Sequence, residues 1–337
     1  MKKSNYVDTK VYETNEKITK LQNETKELFF KCLLRGEDEL YFKKQLDRIW
    51  GKIDYTFMQD DIEEYMYMIH QYNLEQANVE IEDTEEVNKK QNYALYLVAL
   101  GLIMTQEDRF KRLINRQYET AYNSPGYKNN KTEYLKQKVK RYNSQTVPYF
   151  SNGKPIREVK LSTYTAMVEN TNLTRSAWNT TLNDADLLGA EKFYIPYHAF
   201  SCEHCRAYQG RILSREEVMT HIGIDEEQEG DILHPNCKCS LLIYWGGKID
   251  NPYNYSEEEL NEQYDIRQKI NSLTLKKSEL LTDRRIYNDM IKNGKIEAQD
   301  EVDEVNKKIR GINSKIKDYQ AQLPTEELKK EVVAINR

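Results

Sequence analysis

The chain of 337 residues carries 50 Lys and Arg against 55 Asp and Glu, a formal charge of −5, which excludes a protein that is basic throughout and binds nucleic acid over its whole surface. Hydrophobic residues make up 39% and charged residues 31%, and the 25 tyrosines are too many for a disordered chain. This composition predicts long helices with much exposed surface and a modest core.

Two features argue against a membrane protein. The most apolar stretch, residues 93–104, has about half of the roughly 20 residues that a membrane span needs. The first residues, MKKSNY, carry charge but no apolar segment of the kind found in a signal peptide. We therefore expect a protein that folds in a cytosol and has no membrane role.

The N-terminal segment, residues 1–150, has the pattern of a helical bundle. Apolar residues recur at three- and four-residue steps through much of residues 18–69, with breaks at Gly36 and Gly51. In residues 93–104 apolar side chains surround the helix on all sides. This stretch is therefore predicted to be the central, fully buried helix of the bundle.

Residues 105–160 are strongly basic. They hold 13 Lys and Arg against 5 Asp and Glu, a local charge of +8. Within them Lys136, Lys138, Lys140 and Arg141 are candidate contacts to the phosphates of double-stranded DNA, because phosphate binding needs clustered cations but no base readout. The alternative interpretation is a basic surface that docks on an acidic protein partner.

Residues 151–250 form the second predicted segment. Prolines and a glycine at 147–155 indicate a linker that leads into it. A helix is predicted over residues 161–188, ending before Gly189, a residue type that commonly terminates helices.

After this helix the pattern changes to that of a small α+β module. Residues 192–198 read as a short strand, at an edge because of Pro196, and residues 241–245 read as another. A capping box begins a short helix at residues 214–221. The core of this module is so small that a structural metal is expected to stabilise it.

Residues 251–337 follow the heptad pattern of a coiled coil. Ser256 and Glu259 form a capping box, and apolar residues then recur at three- and four-residue steps, most regularly over residues 302–323. The Asn-Gly pair at residues 293–294 interrupts the pattern. This predicts an antiparallel helical hairpin with arms of roughly 40–45 Å at 1.5 Å per residue.

Cysteine and histidine residues cluster in the second segment. Cys202 and Cys205 form a Cys-x-x-Cys pair, and His234, Cys237 and Cys239 form a second group. In a reducing compartment such a set is more often a metal site than two disulfides. A structural Zn²⁺ ion takes four soft ligands, so we predict zinc bound by Cys202, Cys205 and Cys237, with either Cys239 or His234 as the fourth ligand.

The same residues carry a resemblance to a known family. Residues 202–214 read CEHCRAYQGRILS, and residues 234–239 read HPNCKC. This pair of motifs resembles the signature of the minor capsid, or head morphogenesis, proteins of tailed phages (the Mu F-like minor head proteins). The helix at residues 164–179 also resembles the family's helix upstream of the metal module, and the likeness extends over residues 155–247.

The resemblance implies a structural, non-enzymatic component of the virion, assembled in the host cytoplasm and located in the capsid interior or near the portal. Its implied partners are the portal protein, the major capsid protein or both, and in some relatives packaged double-stranded DNA, with no small-molecule substrate. The whole sequence then predicts a mainly α protein with a helical bundle, a small zinc-stabilised α+β module and a C-terminal coiled-coil hairpin.

Two other functions fit parts of the sequence. In a metal-dependent nuclease a zinc knuckle would support a loop with His234 and Asn236 near the active metal, but no histidine follows His234 to serve as the usual second one. The other alternative is a zinc-containing DNA-binding protein that uses the basic residues at 105–160.

Overall fold

The computed structural model is mainly helical in the residues that it describes, as the sequence predicts. These residues are 3–78, 85–142, 146–151, 154–197, 203–221, 239–251, 256–294 and 296–323. The first half of the chain contains α1 (Lys3–Arg35), α2 (Glu39–Trp50), α3 (Thr56–Ala77), α4 (Glu85–Tyr122), α5 (Pro125–Asn129) and α6 (Lys131–Arg141). The second half contains β1 (Thr146–Ser151), β2 (Lys154–Lys160), α7 (Leu161–Leu188), β3 (Lys192–Tyr194), α8 (Glu203–Arg206), β4 (Ile212–Ser214), α9 (Arg215–His221), β5 (Leu242–Ile243), α10 (Glu257–Gly294) and α11 (Gln299–Gln322).

The glycine breaks between the first helices are confirmed. Helix α1 ends immediately before Gly36, which has a φ of +78°, and α2 ends before Gly51. Aromatic rings then join α1, α2 and α4: Phe42 stacks on Tyr118 with ring centroids 4.0 Å apart, and Phe29 packs edge-on against both. The predicted bundle therefore has a tightly packed aromatic core at this end.

Helix α7 is the central helix of the fold. It packs against α1, α3 and α4, and most of its side chains are buried. Its bounds match the prediction, and Gly189 follows it in the left-handed conformation with a φ of +66°. Several of its buried residues are threonines, and the hydroxyls of Thr165 and Thr180 donate to backbone carbonyls one turn earlier. Because these hydrogen bonds satisfy the buried hydroxyls, a helix that is enclosed on several sides can contain polar residues.

The prediction that residues 93–104 form the central, fully buried helix is wrong. They lie in the first half of α4, where Tyr96, Ala99 and Ile103 are buried. Apolar residues on the opposite side of the same helix are 46–59% exposed: Tyr93, Leu97, Val98, Leu102 and Met104. The sequence pattern arises from one packed face and one exposed apolar face, and we call the five exposed residues the α4 apolar face.

The prediction of a linker at residues 147–155 is also wrong. Its described residues belong to β1 and β2, which pair antiparallel, with the buried residues Val147 and Val159 opposite each other. Pro148 and Pro155 are tolerated because a two-stranded sheet consists of edge strands, so neither proline interrupts hydrogen bonding on both sides. The apparent linker thus connects α6 to α7 as a hairpin.

A second sheet forms the described part of the small α+β module. Its strand order is β4-β3-β5, so β3 is the central strand and not the predicted edge strand. Pro196 lies beyond the last residue of β3 and does not interrupt its pairing. The predicted helix after β4 is present as α9, and Ser214 and Glu217 form its capping box with distances of 2.7 and 3.2 Å.

Helices α10 and α11 form the predicted hairpin. Arg284 contacts Asn306, and Lys269 lies over the ring of Tyr319, so positions earlier in α10 meet positions later in α11, as antiparallel packing requires. The Ser256–Glu259 capping box is confirmed by distances of 2.7 and 3.2 Å. With 38 residues α10 is about 57 Å long, longer than predicted.

The turn of the hairpin lies against the end of α1. A Cβ atom at Gly294 would stand 2.6 Å from Cδ1 of Leu34. Glycine lets the Leu34 side chain pack directly on the backbone at this point, and a larger residue would require that side chain to move; α10 still includes Gly294. The hairpin packs along the bundle instead of projecting from it, since α10 contacts both α1 and α6.

Candidate functional site

The structure describes two of the five predicted zinc ligands and buries both. Cys205 lies in α8 with 1% of its surface exposed, and Cys239 precedes β5 with 2% exposed. Both belong to the hydrophobic core that extends through the described fold. Cys202, His234 and Cys237 lie outside the described residues.

Helix α7 holds the segment that carries Cys239. The indole Nε1 of Trp178 donates a hydrogen bond of 2.8 Å to the carbonyl oxygen of Cys239, and the hydroxyl of Thr181 donates one of 3.0 Å to that of Leu241. Trp178 itself is only 1% exposed. Because Trp178 and Thr181 are held in the central helix, they fix the backbone on which one candidate ligand stands.

The Gln-Gly-basic part of the family motif also has a structural role. The amide of Gly210 donates a hydrogen bond of 2.8 Å to the carbonyl oxygen of Ile195, and Gly210 adopts a φ of +72°. The ring of Tyr197 occupies the space where a Cβ atom would stand. A residue with a side chain would meet both backbone strain and this ring, so the turn between α8 and β4 needs glycine.

In chemical terms, each of these thiols is a donor that suits a soft metal ion, because thiolates are the preferred ligands of structural zinc. Within the described ranges, no group of three or more His, Cys, Asp or Glu side chains could hold a metal ion. The zinc site, with Cys202, Cys205, Cys237 and either Cys239 or His234 as ligands, therefore stays a prediction.

A buried polar cluster that the sequence does not reveal joins α3 to α7. The carboxylate of Asp184 accepts hydrogen bonds from Nδ1 of His70 at 2.7 Å and from Nδ2 of Asn73 at 2.8 Å. Asp184 is 1% exposed and His70 8%. His70 is buried because its face of α3 packs on α7. Only the distant Asp184 explains a histidine and an asparagine one turn apart.

A second buried acid, Glu169 of α7, lies where α1, α3 and α7 meet. Burial raises the pKa of Glu169 to about 8, and the nearby carboxylate of Asp61 adds to the rise, whereas the hydroxyl of Thr14 and the charge of Lys17 oppose it. Among the described residues, neither carboxylate oxygen has a hydrogen-bonding partner of good geometry. Glu169 is therefore largely protonated in the folded protein at neutral pH.

The four candidate DNA-binding residues lie in α6, but two of them already face acidic residues of the chain. Nζ of Lys136 lies 3.5 Å from Glu301, and Nζ of Lys140 lies 3.8 Å from the same carboxylate. Lys138 and Arg141 form no ion pair with a described residue. The structure thus pairs Lys136 and Lys140 with α11, and it leaves Lys138 and Arg141 without an ion pair to a described residue.

Comparison with known proteins identifies the family. Residues 54–325, from the start of α3 to the end of α11, match the model of the family described as phage minor capsid protein 2. The chain belongs to this family. The match confirms the resemblance carried by the cysteine motifs, and it supports a structural role in the phage capsid and a place in the virion. No curated protein and no solved structure shows significant similarity to the chain.

The surface of this minor capsid protein is uncharged along the α4 apolar face. Residues 93–105 contain no Asp, Glu, Lys or Arg. Next to this face a cavity of about 460 Å³ lies between α4, α7 and α9, with Val98, Leu182 and Met219 in its wall.

Within the described parts of the chain, no helix is both long and apolar enough to cross a membrane.

The protonated Glu169 predicts a specific dependence of stability on pH. Below pH 4.5 the carboxyl is protonated in both states; between about 4.5 and 8 the unfolded chain loses the proton and the folded chain keeps it. The folded state then binds more protons, so this residue lowers the free energy of unfolding as pH rises, by up to about 1.4 kcal/mol per pH unit. Above pH 8 the effect is constant.

Replacing Glu169→Gln should remove this contribution. In urea unfolding at pH 5, 6.5 and 8, the variant should gain stability relative to the wild type as pH rises. Glu63→Gln, on the exposed side of α3, is the matched control and should follow the wild type at all three values. A constant difference between Glu169→Gln and the wild type would mean that Glu169 is charged in the folded protein.

Proposed function

We propose that this minor capsid protein is a structural, non-enzymatic component of the phage head that associates with the portal protein or the major capsid protein through the α4 apolar face. The observation that carries the proposal is the exposure of five large apolar side chains on one helix. Scattered exposed apolar residues are common, but a contiguous apolar surface marks a site of protein association.

The chemistry of this face suits a stable interface. The cores of protein interfaces are depleted in charged residues and enriched in aromatic residues and methionine, and the α4 apolar face combines Tyr93 and Met104 with three aliphatic side chains. The cavity between α4, α7 and α9 lies beside this face and can receive a side chain of the partner. Because these side chains are already about half buried, covering each one completely contributes about half of the roughly 1.5–3 kcal/mol gained when an exposed side chain is fully buried.

We further propose that the α+β module holds one structural zinc ion through Cys202, Cys205 and Cys237, with Cys239 or His234 as the fourth ligand. The burial of Cys205 and of Cys239 supports this assignment, because both thiols are shielded from solvent. The short strands β3, β4 and β5 enclose little apolar volume of their own, so a metal ion would supply folding free energy that the module otherwise lacks.

A secondary, salt-sensitive contact with packaged DNA is proposed for α6. Its support is the local charge of +8 over residues 105–160 together with the exposure of Arg141 and the absence of described ion partners for Lys138 and Arg141. Phosphate contacts of this kind need no sequence recognition and would hold the protein against the DNA backbone.

Incorporation into phage heads tests the docking proposal. Leu97→Glu combined with Val98→Glu places two charges on the α4 apolar face. Glutamate is a good helix former, so the helix itself should persist. When such a variant is the sole source of the protein during phage growth, its copy number in purified heads should fall at least about tenfold, since burying these charges is unfavourable.

The matched control uses another exposed apolar pair. Leu40→Glu with Tyr41→Glu changes residues of α2 that are 76% and 40% exposed, and this variant should enter heads at the wild-type level. Circular dichroism of both proteins checks that they fold. Wild-type incorporation of the α4 variant would show that this face does not bind the head.

The zinc proposal predicts one equivalent of zinc per chain in freshly reduced protein. Cys205→Ser should lower the metal content and increase hydrogen exchange in β3, β4 and β5, because zinc binding is coupled to folding. Cys32→Ser also changes a buried thiol, but in α1, and should keep the zinc. Less than about half an equivalent of zinc in the wild-type protein would contradict the proposal, since structural sites bind zinc tightly.

A further inference from the structure

The contact between α6 and α11 joins cations of the proposed DNA surface to carboxylates of the hairpin. Lys136 lies 3.5 Å from Glu301, and Lys140 lies 3.8 Å from both Glu301 and Glu304. Glu304 also pairs with Lys308 at 2.6 Å within α11. The two glutamates are one turn apart, so they present their carboxylates side by side to the lysines of α6.

These ion pairs are loose. The distances of 3.5–3.8 Å exceed those of a charge-assisted hydrogen bond, and Oε2 of Glu301 has no hydrogen-bond donor among the described residues, although it is buried. The side chains of Lys140 and Glu304 are 51% and 49% exposed. The exposed pair of Lys140 and Glu304 contributes little to stability, so another anion can replace Glu304 at low free-energy cost. Lys136 and Glu301 are more enclosed, with side chains 20% and 12% exposed, and their 3.5 Å separation is what leaves this pair weak.

The same distribution of charge continues along the hairpin. Lys26 of α1 pairs with Asp283 of α10, and Lys160 of β2 pairs with Glu279. In each case the cation belongs to the part of the protein that precedes the hairpin, here called the body, and the carboxylate belongs to the hairpin. The pair of Arg285 with Glu27 has the opposite arrangement. The hairpin therefore meets the body chiefly as an anionic surface on a cationic one.

We propose that the first turns of α11 act as an internal competitor for DNA: Glu301 and Glu304 occupy Lys136 and Lys140, and a phosphate backbone must displace them. This inference rests on the proposed contact of α6 with DNA. Lys138 and Arg141 provide the initial attraction, and the two lysines join the contact only when the carboxylates move away. The internal carboxylates thereby weaken binding to DNA and restrict it to conditions of high local DNA concentration.

The decisive variant removes the competitor without adding a cation. In the full-length protein, Glu301→Gln with Glu304→Gln should bind a fluorescent 30-base-pair duplex about three- to tenfold more tightly at 50 mM salt, the range expected from loss of two weak ion pairs. Between 50 and 200 mM salt its affinity should also fall more steeply than that of the wild type, by roughly one to two units in log–log slope, because two more phosphates are neutralised.

The matched control is Asp300→Asn with Asp303→Asn. It removes the same charge from the same turns of α11, but both residues are exposed and form no ion pair with a described lysine or arginine. A general effect of net charge would shift both double variants equally, whereas the competitor proposal predicts the larger gain in affinity and the steeper slope for Glu301→Gln with Glu304→Gln alone.

A fourth protein, Lys138→Gln with Arg141→Gln, separates the two proposals. If it loses the binding seen for the wild type while the two acidic double variants behave alike, α6 contacts DNA and the competitor is wrong. If neither the wild type nor Glu301→Gln with Glu304→Gln binds DNA at 50 mM salt, both the DNA contact and the competitor are wrong.

Discussion

Helix α7 is enclosed by α1, α3 and α4, and it also holds the segment before β5 that carries Cys239. The rest of the molecule depends on this double role. Its N-terminal half fills the bundle, and in its C-terminal half Trp178 and Thr181 donate hydrogen bonds to the backbone of the α+β module. The family motif around the cysteines is therefore built onto the core of the bundle, and the orientation of the module follows from the packing of one helix.

Enclosure of α7 explains the unusual chemistry of its buried residues. A buried polar group is unfavourable unless it is hydrogen-bonded, and Asp184 meets this condition through His70 and Asn73. Glu169 does not, and the folded protein keeps it neutral by retaining a proton. The first acid joins α3 to α7 by hydrogen bonds, whereas the second makes their packing sensitive to pH.

Local signals made much of the fold predictable. The helix over residues 161–188, the capping boxes at Ser214 and Ser256, and the heptads of the hairpin follow from residues within a few turns of one another. The linker predicted at residues 147–155 failed locally, because these residues pair as β1 and β2, whereas two other failures involve partners distant in sequence. Nothing near residues 93–104 tells that α7 covers one face of α4 only, and nothing near His70 indicates Asp184.

The candidate sites divide in the same way. The cysteine motifs indicated the family directly, because their residues are close in sequence and their spacing is distinctive. The basic residues of α6 were found from local charge, but their carboxylate partners in α11 lie more than 150 residues later. The α4 apolar face was mistaken for core, since an exposed apolar surface has the same composition as a buried one.

Native-state hydrogen exchange tests the central position of α7 most directly. Helix α7 is packed on several sides, whereas the first half of α4 is packed on one side only. We therefore predict that the amides of residues 165–182 exchange most slowly, at the rate set by global unfolding. The amides of residues 93–104 should exchange faster, through local opening. Slower exchange in residues 93–104 than in residues 165–182 would contradict the central position of α7, because it would make α4 the core helix of the protein.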